Sequence, residues 1–100
     1  MSLPISPETL DIARRIIWFE PPHEALSDTR RFLAYAFRFA THDDMLTLRR
    51  HVDDDVLRDA LEHAPAGIMD GRSWAYWRLM LGLPERPLPK RTFAPDVKAA

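Results

Sequence analysis

The sequence has no cysteine, only three glycines and a formal net charge of −1 over 100 residues. Without cysteine there is no disulfide framework and no thiolate chemistry, which fits a cytosolic protein. Three isolated glycines do not form the clustered loop that cradles a phosphate. A net charge this close to zero gives no global attraction to nucleic acid or to an anionic membrane. These absences leave an ordinary globular domain as the class to consider.

Long apolar runs are also missing. No stretch approaches the roughly 18 residues that a membrane span needs, and residues 1–7 lack the basic start and apolar run of a signal peptide. Hydrophobic residues make up 46% of the chain and charged residues 29%, a balance typical of soluble proteins. One hundred residues suffice for one modest core. We therefore expect a single cytoplasmic domain with no membrane contact.

The apolar residues that are present follow helical spacing, and no strand competes with it. Capping residues mark the starts: Ser6 before Pro7, Ser27 or Asp28, Thr41 with Asp44 as a capping box, Asp53, and Asp70. Five helices are predicted, over about residues 7–17, 29–40, 42–52, 53–64 and 70–83, with one short helical turn at 22–26. The fold class predicted is all-α, a small single-domain helical bundle of about five helices.

The helix over residues 70–83 is the most apolar one, and we expect the others to pack around it. Its tryptophans, tyrosine, leucines and methionine cover nearly the whole circumference and leave only a narrow polar sector around Arg78. Such a helix must be buried by the other helices, or half by them and half by a partner. Its expected neighbour within the fold is the apolar helix over 29–40.

The composition changes after residue 83. Residues 84–100 contain four prolines among basic residues, which favours an extended, polyproline-like arm. We divide the chain into a helical domain, 1–83, and an extended basic, proline-rich C-terminal arm, 84–100. Residues 53–70 hold six acids and residues 71–100 hold six bases, and we expect the two segments to neutralise each other across the fold.

Side chains suited to catalysis are few. His42-Asp43-Asp44 and His51-x-Asp53 lack the paired histidines of a zinc helix and lie at helix ends, so we predict no metal and no cofactor. Arg58 and His63, five residues apart, resemble the ribonuclease signature of HEPN domains, which would act on RNA without metal. The alternative is an outward-facing arginine and a histidine near a helix C-terminus.

Binding to nucleic acid would need a basic helix with interleaved aromatics, or a recognition helix. The basic arm is too short and too rich in proline for either, so we do not expect nucleic acid as the main partner. A small helical DNA-binding autoregulator remains an alternative function beside the ribonuclease.

Five motifs follow one another along the chain: Trp18-x-x-Pro21-x-x-Glu24-Ala-Leu-x-Asp28-x-x-Arg31-Phe-Leu-Ala34, Thr41-x-x-Asp44, Ala64-Pro-x-Gly67-x-x-Asp70-x-Arg-Ser-Trp-Ala-Tyr-Trp77, Leu81-Gly-Leu83 and Pro87-Leu-Pro-x-Arg91. Their order resembles a family of small proteins encoded beside AbiEii/AbiGii-type nucleotidyltransferase toxins and taken to be their antitoxins. The contiguous Arg-Ser-Trp-Ala-Tyr-Trp run is the most specific part. The chain departs from the family pattern at Ala40, where glycine is expected, and at Phe37, where methionine is common.

The resemblance implies a non-catalytic protein that restrains a nucleotidyltransferase toxin. Because the 70–83 helix is over-apolar and the arm is basic, we expect neutralisation by direct protein–protein binding, with a homodimer left open. The residues predicted to contact the partner are Trp18, Trp74, Tyr76, Trp77, Leu88, Arg91 and Phe93.

Overall fold

The computed structural model describes residues 3–88 of the chain. The helices are α1 (Pro7–Ile16), α2 (Pro22–Ser27), α3 (Thr29–Phe39), α4 (His42–His51), α5 (Asp54–Glu62) and α6 (Gly71–Met80). No strand occurs in this part of the chain, so the all-α prediction is confirmed. The expected helical turn at 22–26 forms a helix of its own, which makes six helices within residues 3–88. None of these helices is long and apolar enough to cross a membrane.

Local capping explains where the helices start. Ser6 and Thr9 form a capping box on α1, and Thr41 and Asp44 form another on α4. The carboxylates of Asp28, Asp53 and Asp70 accept hydrogen bonds from backbone N–H groups at the starts of α3, α5 and α6. Each cap side chain lies three residues from its partner, so these predictions depended only on local sequence and are confirmed.

The end of α6 is a Schellman motif. Gly82 has φ +72°, a left-handed conformation that side chains with a Cβ rarely adopt. The Leu83 N–H donates to the Arg78 carbonyl at 2.8 Å, and the Gly82 N–H donates to the Leu79 carbonyl at 3.2 Å. This turn directs residues 83–88 back along α6.

The central element is α3, not the helix at 70–83 that the sequence favoured. It packs most extensively against α5 and also contacts α1, α2 and α6. Its buried residues span more than half of its circumference: Phe32, Leu33, Ala34, Ala36 and Phe37. Two of them are alanines, which let neighbouring helices approach closely. The expected pairing of α3 with α6 does occur, since the Trp77 indole N–H donates to the Phe37 carbonyl at 3.1 Å.

The predicted orientation of Arg78 is wrong. The residue is 2% exposed and lies on the buried face of α6. It follows Trp74 by four residues and Trp77 by one, so helical geometry places it beside the buried tryptophans. Glu62 and the carbonyl of Pro84 supply the acceptors that permit burial of its guanidinium. The exposed face of α6 instead carries Tyr76, Leu79 and Met80.

Candidate protein-binding surface

Four aromatic side chains lie one after another in a line along one surface. We call these residues, Trp18, Phe19, Tyr35 and Phe39, the aromatic row. Successive ring centroids are 5.7, 5.9 and 6.3 Å apart. Trp18 is 79% exposed, Phe19 51% and Phe39 52%, while Tyr35 is half-buried between the last two. The row is therefore a continuous aromatic surface open to solvent, of the kind that marks interaction sites.

The chain path explains why the first two rings face outward. The α1 helix ends at Ile16, and Ile17 is fully buried. Pro21 and Pro22 follow shortly and begin the next helix, so the intervening residues form a tight corner. Trp18 and Phe19 occupy this corner, where no other element covers them.

The other two rings come from one face of α3. Tyr35 and Phe39 are four residues apart, the spacing that stacks side chains along a helix, and their planes are inclined by only 22°. Phe19 meets Tyr35 edge-on with an interplanar angle of 64°. The row thus depends on the packing of α1 and its corner beside α3.

Two arginines of α3 hold the row. Both terminal nitrogens of Arg31 donate to the Glu20 carboxylate at 2.7 and 3.0 Å, and its guanidinium lies 5.3 Å from the Tyr35 ring centroid. This pairing lowers the pKa of Glu20. Arg38 lies 4.8 Å from the Phe39 ring centroid and donates to the Ile68 carbonyl at 3.0 Å. These contacts restrain two of the four rings, Tyr35 and Phe39.

A groove runs beside the aromatic row, and a polar edge closes it. Arg15 of α1 donates to both oxygens of Asp44 on α4, at 2.9 and 2.8 Å. The Arg15 hydrogen bonds lower the pKa of the Asp44 carboxyl against the opposing effect of burial. Thr41 also lines this groove and donates its backbone N–H to Asp44. An aromatic surface with a fixed ion pair at its rim can bind an apolar segment and align it by polar contacts.

The structure divides the predicted contact residues into three groups. Trp18 and Tyr76 are exposed. Trp74 and Trp77 are buried in the core, and Leu88 is partly buried against it. Arg91 and Phe93 lie outside the described residues.

Sequence reasoning missed Phe19, Tyr35 and Phe39 as surface residues. The spacing of Tyr35 and Phe39 is visible in the sequence, but helical spacing alone does not distinguish an exposed aromatic face from a wider core face. Trp18 and Phe19 before two prolines gave the only local signal of an exposed aromatic corner.

The arginine and histidine considered for ribonuclease chemistry have separate partners. Arg58 donates from Nε to the Leu81 carbonyl at 2.9 Å and from Nη1 to Asp55 at 2.9 Å. The His63 ring contacts the Asp59 carbonyl and carboxylate at 2.9 and 3.2 Å. Five helical residues separate two side chains by about 140° around the axis. Arg58 thus joins α5 to the end of α6, and His63 caps α5.

No cluster of three or more His, Asp or Glu side chains within residues 3–88 is placed to hold a metal ion. No protein-family model, curated protein or solved structure matches the chain.

Proposed function

We propose that this protein neutralises a nucleotidyltransferase toxin of the AbiEii/AbiGii type by binding it directly, without catalysis of its own. The class of partner comes from the resemblance of the chain's motifs to the antitoxin family. The observation that supports direct binding is the exposed aromatic row. A row of four rings on a small protein is a surface that stays unfavourably hydrated until a partner covers it.

The side chains of the row suit an interface in energetic terms. Tryptophan, tyrosine and arginine are the residues that most often dominate binding energy, and an aromatic ring brings about 150–250 Å² of area. Trp18 is the most exposed ring and stands at one end of the row. We assign it the role of the main contact, inserted into a pocket of the toxin.

Preorganisation of the rings should add to the affinity for the partner. Arg31, paired with Glu20, and Arg38, bonded to a backbone carbonyl, hold the neighbouring rings through cation–π contacts. Rings that are already ordered lose little side-chain entropy on binding, so more of the buried area contributes to affinity.

Co-expression tests the proposal. The tagged chain is produced with the nucleotidyltransferase encoded beside its gene, and growth and co-purification are measured together. We expect growth to be restored and the two proteins to purify in near-equal amounts. Restored growth without a complex would contradict direct binding, and continued growth arrest despite equal expression would contradict the neutralising role.

A further inference from the structure

A second surface feature lies between α6 and the segment that follows it. Residues 84–87 run back along the helix, and the intervening depression is lined by Trp74, Arg78, Leu79, Leu83, Arg86 and Pro87. We call this the α6 groove. Glu85 also lines it. Most of its walls are apolar, but its floor contains the buried guanidinium of Arg78.

Arg78 is incompletely satisfied. Its Nε donates to the Pro84 carbonyl and its Nη1 donates to Glu62 at 2.8 Å, yet Nη2 has no hydrogen-bond partner in the described structure. The Trp74 ring lies 5.0 Å from the guanidinium carbon, which favours the charge but offers no conventional acceptor. Buried polar groups of native proteins almost always have a partner, so an acceptor brought to Nη2 by a ligand would be favourable.

The charges nearby favour an anionic acceptor. Glu62 accepts from both Arg78 and Arg86, at 2.8 and 3.1 Å, so two guanidinium groups share one carboxylate. Glu85 makes no hydrogen bond or ion pair within residues 3–88, and its side chain is exposed. Its charge is therefore solvated and does not complete the coordination of Arg78.

We propose that the α6 groove binds a side-chain carboxylate carried by an apolar segment of the partner protein. Arg78 Nη2 and the half-exposed Arg86 donate to the carboxylate, and the exposed Leu79 side chain packs against the flanking apolar residues. Nη2 is covered in the free protein, so the side chains that line the groove move apart when the carboxylate binds, while the Pro84 and Arg86 carbonyls keep residues 84–87 against α6. A single-charged carboxylate fits two arginines that already share Glu62 better than a phosphate does. The identity of the partner rests on the proposed function.

Capped peptides test the groove without the toxin. N-acetyl-Leu-Glu-Leu-amide and its Gln counterpart are titrated into the full chain while the Trp74 indole and Arg78 Nε resonances are followed by NMR. We expect the Glu peptide to shift both signals and to bind roughly tenfold more tightly than the Gln peptide, because only the Glu peptide makes a charge-assisted bond. Inorganic phosphate should shift them less than the Glu peptide does.

Surface variants provide the controls, since Arg78 itself supports the fold. Binding of the Glu peptide should be weakened by Leu79→Ser and by Arg86→Gln. It should be strengthened by Glu85→Gln and unchanged by Met80→Ser. Equal responses to the Glu and Gln peptides, no response at millimolar peptide, or a stronger response to phosphate would overturn the proposal. If the Glu peptide binds but the toxin does not co-purify with the chain, the carboxylate site is supported and the proposed function is contradicted.

Discussion

Arginine–carboxylate pairs join elements that are distant in the sequence. Within residues 3–88 these pairs include Arg15–Asp44, Arg31–Glu20, Arg30–Asp59 and Arg78–Glu62. Each arginine favours the charged form of its carboxylate, so the pKa values of all four acids are lowered. The folded protein therefore binds fewer protons in acid than the unfolded chain does.

The protein should therefore become less stable as the pH is lowered. A carboxylate whose pKa is lowered by folding stabilises the protein above its unfolded pKa, ordinarily 3.8 for Asp and 4.5 for Glu, and this stability is lost as pH falls through the lower folded value. We expect the Tm, measured by circular dichroism, to hold above about pH 5 and to drop steadily below it. A Tm that rises on acidification would contradict this assignment.

Asp44 takes part in the capping box of α4 and also forms an ion pair with Arg15. It accepts from the Thr41 N–H at 3.2 Å and from both terminal nitrogens of Arg15. We expect Asp44→Ala to lower the free energy of unfolding by about 2 kcal/mol, from the lost cap and from an ion pair weakened by the exposure of Arg15. Urea unfolding measures the change.

The neighbouring Asp43 is the matched control. It lies in the same first turn of α4 but is exposed. Asp43→Ala should cost less than about 1 kcal/mol, since only its interaction with the helix dipole is lost. Similar costs for the two variants would show that Asp44 acts through the dipole alone.

At the scale of elements, α6 has two faces with different roles. Trp77 packs on Phe37 with ring centroids 5.1 Å apart and donates its indole N–H to the Phe37 carbonyl. We expect Trp77→Ala to cost about 3–5 kcal/mol by urea unfolding and to impair folding and partner binding together.

Tyr76 on the opposite face provides the comparison. Tyr76→Ala should cost less than about 1 kcal/mol, because the residue is 51% exposed and its ring meets the Trp77 ring edge-on at the surface. If Trp77→Ala abolished partner binding while urea unfolding stayed unchanged, the tryptophan would belong to an interface rather than to the core.

Helix starts could be predicted from sequence because each cap side chain and the backbone N–H that donates to it lie three residues apart. Ser6, Thr41, Asp53 and Asp70 all occupy the predicted positions. The organising helix could not be predicted in this way. Apolar content favoured α6, whereas α3, which includes the fully buried Ala34 and Ala36, makes the more extensive contacts with the other helices.

The burial of Arg78 is indicated by its spacing along α6, but the charge of the side chain favoured an exposed position. Trp74, Trp77, Arg78 and Leu81 have the i, i+3, i+4, i+7 spacing of a buried stripe, and all four are buried. The charge of the side chain suggested the opposite orientation. Its acceptors come from Glu62 on another helix and from Pro84 beyond the helix end, and neither contact is encoded in the periodicity of α6.

At the scale of the whole molecule, the aromatic row exists only because the corner after α1 packs beside α3. Its two halves are separated by about fifteen residues in the sequence, so local patterns indicated two aromatic pairs but not one surface. The row and the α6 groove are separate surfaces supplied by different helices. A partner that covered both would contact an aromatic surface at one site and an arginine-lined groove at the other.

The affinity of the purified chain for the nucleotidyltransferase, measured by isothermal titration calorimetry for the native protein and for Trp18→Ala, tests direct binding through the row most directly. Leu46→Ala is the matched control, because Leu46 is 49% exposed on α4 and lies about 200° around that helix from Asp44 at the groove. We predict that Trp18→Ala weakens binding roughly thirtyfold or more, a loss of about 2 kcal/mol, with Tm unchanged, while Leu46→Ala binds like the native protein. Equal affinities for the native protein and Trp18→Ala would contradict the account.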